Sequence, residues 1–557
     1  MNVLERMLFM SFSKRIFLIC VSALVMPSVV YASVALPNTK IKTDSSAMSN
    51  KKAFIQDQNQ EKINKDNLDA KVLVRNITFE HHNVLSKQIE NKLNFKFAEL
   101  INTNISLNEI YKIVFETNDF LRDYGYPCAT AYIPEQIIQN GNLIINIECG
   151  KYGNIILENN SDIKNGTIEK FLSHIKKGEV IKTRELEKVI YNINDIGSVT
   201  ANGIFRPGAN IGETDVVIEV NNYRKDSFST IADNYGSKNA GRYRYTLNSS
   251  MFNLENKANH LAISGSISNK NQHNYAMQYE ENIGSSGSKA GVYISKSDYE
   301  LGNKYASIGT VGNSNEIGVN GSTPLIKSSR SNLSVVYGFV YRNITDELRA
   351  YSYKAKKHSY SLYAGFSGNE LTTKDSLFYD LTLTSGKLIP DDIHIGPIPL
   401  DISTKGNYTK GVLGLAYTHR VSPVLNFMIR GQLQQAANNL DSSEQFYLGG
   451  AHGVRAYPQG EGSGDEGYQA TAELIYTTKI PGLSLATFID TGHVKYTKNS
   501  DMPGGMTLKG WGLSAIYRDA GGLWGRIDYA RRIGLAKDST EDAKSKQRTW
   551  FTIGKNW

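Results

Sequence analysis

The sequence predicts a transmembrane antiparallel β-barrel preceded by two small α+β modules, and three observations carry that prediction. From Arg224 to Trp557, short alternating polar and apolar segments recur with Gly, Asn, Ser and Asp between them, the period of strands set between lipid and a watery lumen. Across residues 71–222 the pattern twice switches between strand spacing and helical spacing. Near the N-terminus Lys14 and Arg15 precede an apolar run over 16–30, with small-residue sites at Val30-Tyr31-Ala32 and Ser33-Val34-Ala35, as in a cleavable secretory signal.

Composition supports this class. A chain of 557 residues exceeds what one hydrophobic core usually supports. Its 48 glycines and 32 tyrosines, with a negative mean hydropathy, exclude a helical membrane protein and suit many short strands with aromatic belts. The run over 16–30 is short for a membrane span and Pro27 interrupts it, so residues 1–35 read as a signal peptide. The net charge of +8 comes from Lys and Arg scattered singly among acidic residues, which is not the basic block or stripe that nucleic acid requires. Of three cysteines, Cys20 lies in the signal, leaving Cys128 and Cys149 in an exported, disulfide-permissive chain. Ten histidines are scattered without a paired nucleophile, and no metal-ligand spacing or phosphate-binding loop appears. No catalytic residue, metal site or cofactor is assigned, and no enzyme activity is expected.

In chain order, residues 36–70 are rich in Lys, Asn, Asp, Gln and Ser, too polar to bury a core, and read as a linker that can carry one polar helix over 50–67. Residues 71–150 form the first module. Val72, Val74 and Ile77 have strand spacing, and Leu85, Ile89 and Leu93 helical spacing. Ser106 and Glu109 make a capping box that opens a helix with Leu107, Ile110, Val114 and Leu121 on one face, ending before Gly125 and Pro127. Strands over 128–133 and 143–149 follow. A hairpin centred between Ile138 and Gln139 would set Cys128 opposite Cys149, which makes a disulfide between them sterically allowed. The second module, 151–222, repeats the order: a strand over 154–157, helices over 167–175 and 183–193, and strands ending at 205–208 and 214–220. In the barrel, 224–557, Tyr243, Tyr245 and Leu247 oppose Arg242, Arg244 and Thr246, while Leu523, Gly525, Ile527 and Tyr529 oppose Trp524, Arg526 and Asp528.

One stretch breaks the alternation. Residues 448–468, LGGAHGVRAYPQGEGSGDEGY, carry seven glycines and Pro458, so neither helix nor strand fits. Gly453-Val454-Arg455-Ala456-Tyr457-Pro458, followed by Gly460-Glu461 and Gly464-Asp465-Glu466-Gly467, resembles the conserved loop of two-partner secretion translocators, the TpsB-type outer-membrane barrels of the ShlB/FhaC/HecB family. In that family the loop folds back into the lumen. Phe488-x-Asp490-x-Gly492 resembles the strand motif that receives it, and alternation puts Phe488 and Asp490 on the lumenal face. The expectation is a lock in which Arg455 forks two N–H donors onto the Asp490 carboxylate, a geometry Lys could not reproduce.

The resemblance implies further expectations. The two modules are similar to polypeptide-transport-associated (POTRA) domains, set in the periplasm, and the barrel has about sixteen strands. Residues 36–70 can supply a plug helix. Phe551 and Trp557, in a terminal strand ending on an aromatic residue, resemble the signal by which the barrel-assembly machinery receives its substrates. The partners implied are a large secreted exoprotein of TpsA type, β-helical in form, and outer-membrane lipid; the translocator is a monomer. The function implied is capture of the unfolded exoprotein in the periplasm and its export through the barrel to the surface of a Gram-negative cell, of the haemolysin secretion/activation type. An assembly factor that inserts other barrels is the alternative, although that class usually carries more modules. A passive porin or surface adhesin is the third reading.

Overall fold

The computed structural model describes residues 42–43, 71–82, 84–223, 226–394, 404–498, 504–534 and 544–557. The signal segment, Cys20 and the stretch 50–67 lie outside the described residues. The chain divides into two compact units, one built on Ala35–Arg224 and the other on Lys225–Ile283 with Ser288–Trp557.

The first unit holds both modules. It begins with β1 (Lys42–Thr43), β2 (Lys71–Val74), β3 (Asn76–Glu80), α1 (Lys87–Lys96), β4 (Thr103–Ser106), α2 (Leu107–Asp123), β5 (Ala129–Tyr132) and β6 (Asn142–Cys149). The residues with strand spacing fall on two strands: β2, with Val72 and Val74, pairs with β4, while β3, with Ile77, runs parallel to β6. Helix α2 starts where its capping box dictates. Ser106 Oγ accepts from Glu109 N at 3.3 Å, and Glu109 Oε2 accepts from Ser106 N at 2.6 Å, which holds the Glu109 carboxyl below its usual pKa. Its apolar face, Ile110, Ile113 and Leu121, closes on Leu93, Leu143 and Ile145.

The expected cysteine pairing is corrected by this sheet. Ala129 stands opposite Cys149, and Gly150 N donates to Cys128 O at 3.0 Å, so the register is offset by one residue and no bridge is formed. The connection between the two strands carries a 3₁₀ turn at Gln139–Gly141, in which Asn140 takes φ 54° and Gly141 φ 78°. Cys149 is a thiol, pushed up to about 11 by burial.

The second module comprises β7 (Lys151–Asn160), α3 (Asn165–Leu172), α4 (Thr183–Asn194), β8 (Val199–Pro207) and β9 (Glu213–Asn222). Leu186, Val189, Ile190 and Ile193 form the buried face of α4. The sheet order is β1-β8-β9-β7, with Lys42 opposite Ile204 and Thr43 opposite Phe205 in parallel. A short piece of the segment expected to be linker is thus an edge strand.

The second unit is a closed barrel of sixteen strands. They are β10 (Ser227–Asp233), β11 (Arg244–Phe252), β12 (Asn259–Ser268), β13 (Gln272–Ile283), β14 (Ser288–Glu300), β15 (Thr310–Lys327), β16 (Ser331–Leu348), β17 (Tyr353–Leu371), β18 (Asp375–His394), β19 (Gly406–Ser422) and β20 (Leu425–Ala436). After two short strands, β21 (Phe446–Tyr447) and β22 (Ser463–Gly464), which pair with each other as a separate two-stranded sheet, come β23 (Glu466–Thr477), β24 (Leu483–Lys495), β25 (Gly505–Arg518), β26 (Leu523–Arg532) and β27 (Gln547–Asn556). Antiparallel pairing of β10 with β27 closes the ring. Closure satisfies the backbone of every strand without water, which spanning lipid requires. Tyr245, Leu247, Ile294, Leu362, Ile489 and Ile527 are exposed on the outer face. Among the described residues no helix is long and apolar enough to cross a membrane; the barrel crosses with strands.

Candidate functional site

Residues 437–465 connect β20 to β23 and include the Gly-rich stretch. Its turn is stitched by backbone bonds: Leu448 N to Gly462 O at 2.9 Å, Gly449 N to Glu461 O at 2.8 Å and Val454 N to Leu448 O at 2.8 Å. The last residues of the stretch depart from the sequence reading, since Ser463–Gly464 is strand β22 and β23 begins at Glu466. Leu448, Val454, Ala456 and Tyr457 are buried with Phe488, Val494, Met506 and Leu508 of β24 and β25 and Ala530 of β26. Glycine on the strands makes this contact possible. A Cβ at Gly492 would fall 2.5 Å from Tyr468 O and overlap the Leu448 side chain, and one at Gly510 would meet the Ala456 Cβ at 2.6 Å.

Arg455 is at the centre, 1 % exposed. Its Nε donates to Asp490 Oδ2 at 2.9 Å and its Nη2 to Asp490 Oδ1 at 2.8 Å, while its backbone N reaches Asp490 Oδ2 at 3.0 Å. Nη1 also donates to Glu473 Oε2 at 3.3 Å and to Asp528 Oδ1 at 3.1 Å. The guanidinium carbon lies over the Phe488 ring, 3.2 Å from its centre, a cation–π contact. Trp550 Nε1 of β27 donates to Arg455 O at 2.7 Å. Arg526 closes the cluster, its Nη2 donating to Glu473 Oε1 at 3.0 Å and to Asp528 Oδ1 at 2.8 Å.

A second set of charges holds the base of the connection. Lys357 of β17 reaches Asp441 at 2.6 Å and Asp346 of β16 at 3.5 Å. Glu444 lies 2.6 Å from Arg342 of β16 and 2.7 Å from Lys410 of β19. Asp465 ties the two ends of the connection together, accepting from Leu440 N at 3.1 Å, Gln445 Nε2 at 3.0 Å and Lys498 N at 2.8 Å.

The structure therefore brings Gly453, Val454, Arg455, Ala456, Tyr457, Pro458, Phe488, Asp490 and Gly492 into one site. Phe551 and Trp557 lie apart from it: Phe551 N donates to Asn234 Oδ1 at 2.8 Å, and Trp557 N to Phe228 O at 2.9 Å, at the seam. Cys128 and Cys149 are in the other unit. Sequence reasoning missed Glu473, Asp528, Arg526, Trp550 and the base set. Alternation puts Arg526 and Asp528 on one face of their strand, but it cannot say what that face meets across a lumen.

A closed barrel with a buried, charge-held loop in its lumen and small α+β modules ahead of it defines an outer-membrane protein translocator of the POTRA–barrel class. Residues 212–515 match the model of the family described as haemolysin secretion/activation protein ShlB/FhaC/HecB, and residues 72–150 that of the POTRA domain, ShlB-type; the chain belongs to the ShlB/FhaC/HecB family. It is similar to the heme/hemopexin transporter protein HuxB of Haemophilus influenzae, 28 % identical over 483 residues covering 82 % of each chain. The outer membrane transporter CdiB of Dickeya dadantii is 21 % identical over 449 residues, 77 % of each. Among solved structures, CdiB from Escherichia coli superposes with a TM-score of 0.66 at 17 % identity, covering 92 % of this chain and 98 % of that one. BamA from Haemophilus ducreyi lacking POTRA domains 1-3 gives 0.50 at 12 %, covering 87 % and 100 %. The protein is a two-partner secretion translocator of the outer membrane, with its POTRA modules in the periplasm, that exports a secreted protein partner. The family match does not favour the barrel-assembly alternative.

Proposed function

We propose that Arg455 is the bolt of a releasable lock: docked on Asp490, Glu473 and Asp528 it keeps the loop in the lumen, and its withdrawal frees the path of the exported chain. The observation that carries this reading is the burial of one guanidinium against three carboxylates on three separate strands. A buried ion cluster adds little net stability compared with an apolar core, yet losing one member strands the others, so it suits a part that must leave as a unit. The client is a large β-helical exoprotein that passes unfolded. The modules capture it by strand addition; β8 already accepts Lys42–Thr43 as an added strand. The terminal strand with Phe551 and Trp557 delivers the barrel to its assembly machinery, and the translocator acts as a monomer in lipid.

The cluster makes the two halves of the lock unequal. Arg455→Ala leaves three carboxylates facing Arg526, and stranding them costs on the order of 3 kcal/mol. Asp490→Ala leaves Arg455 with Glu473 and Asp528. In planar bilayers Arg455→Ala should open larger and more frequent conductances than Asp490→Ala, which should exceed the parent. Equal conductance in all three, at equal insertion, would refute the lock.

A further inference from the structure

Arg430 of β20 has no hydrogen-bond or ion-pair partner among the described residues, yet it stands beside the lock. It is opposite Thr471, and Thr471 is opposite Asp490. Directly opposed residues in a ladder share a face. Thr471 Oγ1 donates to the buried Asp490 Oδ1 at 2.9 Å, so this row points into the lumen. Two strand spacings put the Arg430 and Asp490 backbones about 10 Å apart, a gap that an extended arginine side chain largely spans. Arg430 is within electrostatic range of Asp490 and Glu473, and also of the like charges Arg455 and Arg526.

We propose that Arg430 is the reserve counter-ion of the lock, moving onto Asp490 and Glu473 when Arg455 withdraws and so making the released state attainable. The proposal rests on the lock reading above. Its basis is a charge count. With the loop docked, Arg455, Arg526 and Arg430 balance Glu473, Asp490 and Asp528. Undocking takes the cluster from neutral to one excess negative charge. Without Arg430 the same step goes from one excess negative charge to two, and the repulsion among carboxylates crowded on neighbouring strands rises. Arg430 acts on both sides of the equilibrium: it repels Arg455 while the loop is docked and neutralises its acceptors once the loop has gone. A two-state element needs such differential contacts, because a group that favours both states equally shifts nothing.

The test uses the full chain in outer-membrane vesicles with Cys128 and Cys149 replaced by Ser and Ala456→Cys as reporter, since Ala456 is buried while the loop is docked. The probe is a membrane-impermeant maleimide, and the readout is its labelling rate. Arg430→Gln should slow labelling by about fivefold or more, a modest shift of a two-state equilibrium. Arg430→Lys, which keeps the charge, should label faster than Arg430→Gln. Should Arg430→Gln not insert, Arg430→Met carries the same expectation. Arg455→Ala in the same background separates the two ideas. If it accelerates labelling while neither neutral variant slows it, Arg430 is not the reserve ion and the lock stands. If Arg455→Ala leaves labelling unchanged, the lock fails and the Arg430 proposal with it.

Discussion

The first module and the lumenal loop are both closed to solvent, by opposite means. Leu93, Leu121 and Ile145 are fully buried among other apolar side chains; Arg455, Glu473, Asp490 and Asp528 are as deeply buried, but among charges. Apolar burial is non-directional and is lost only by unfolding the module. A charge cluster is directional: its members can be rehydrated by a water-filled lumen, and moving one guanidinium disengages the whole contact. On the lock proposed above, the apolar module is the permanent part of the translocator and the charge-held loop the releasable one.

Removing one region tests whether the two are separable. Deleting residues 71–222 should leave an inserted barrel with its loop docked and abolish export. Continued secretion of the cognate partner by that truncated protein would remove the modules from the mechanism. A single core change should then break one region alone. Leu121→Ala, at a fully buried position, should cost the module about 3 kcal/mol. Limited proteolysis should cleave within 71–150 while the heat-modifiable migration of the barrel is unchanged; loss of both together would make the units one cooperative structure. The smallest effect should come from the helix cap. Ser106→Ala removes the acceptor for Glu109 N and should cost about 1 kcal/mol, seen as faster amide exchange in the first turn of α2; no change there would mean the Glu109 half of the box suffices.

Much of this was legible because the underlying physics is local. Period-2 alternation identified the barrel faces at Tyr245, Leu247, Arg526 and Asp528, and Ser106 with Glu109 marked the start of α2. The loop was visible because its glycines and Pro458 broke the pattern, and Arg455 with Asp490 because both motifs carried a resemblance. What stayed hidden was non-local. Glu473 stands opposite Phe488, and Asp528 is two strands from it, but only closure of the barrel and folding-in of the loop bring them to one guanidinium. Asp441 and Glu444 looked like ordinary loop carboxylates, since Lys357 and Arg342 lie about a hundred residues upstream. The cysteine register failed by one residue because the connection between β5 and β6 turns through Asn140 and Gly141, both at positive φ, and is not centred between Ile138 and Gln139.

On this lock, export requires the loop to leave the position in which Arg455 holds it. A covalent tether asks this directly. A Cβ at Gly510 would meet the Ala456 Cβ at 2.6 Å, and a relaxation of about 1 Å brings such a pair into disulfide range. In a chain carrying Ala456→Cys and Gly510→Cys, with Cys128 and Cys149 replaced by Ser, export of the cognate exoprotein should stop on oxidation and resume on reduction at constant outer-membrane abundance. Undiminished export with the tether closed would mean that the loop stays docked while the partner passes.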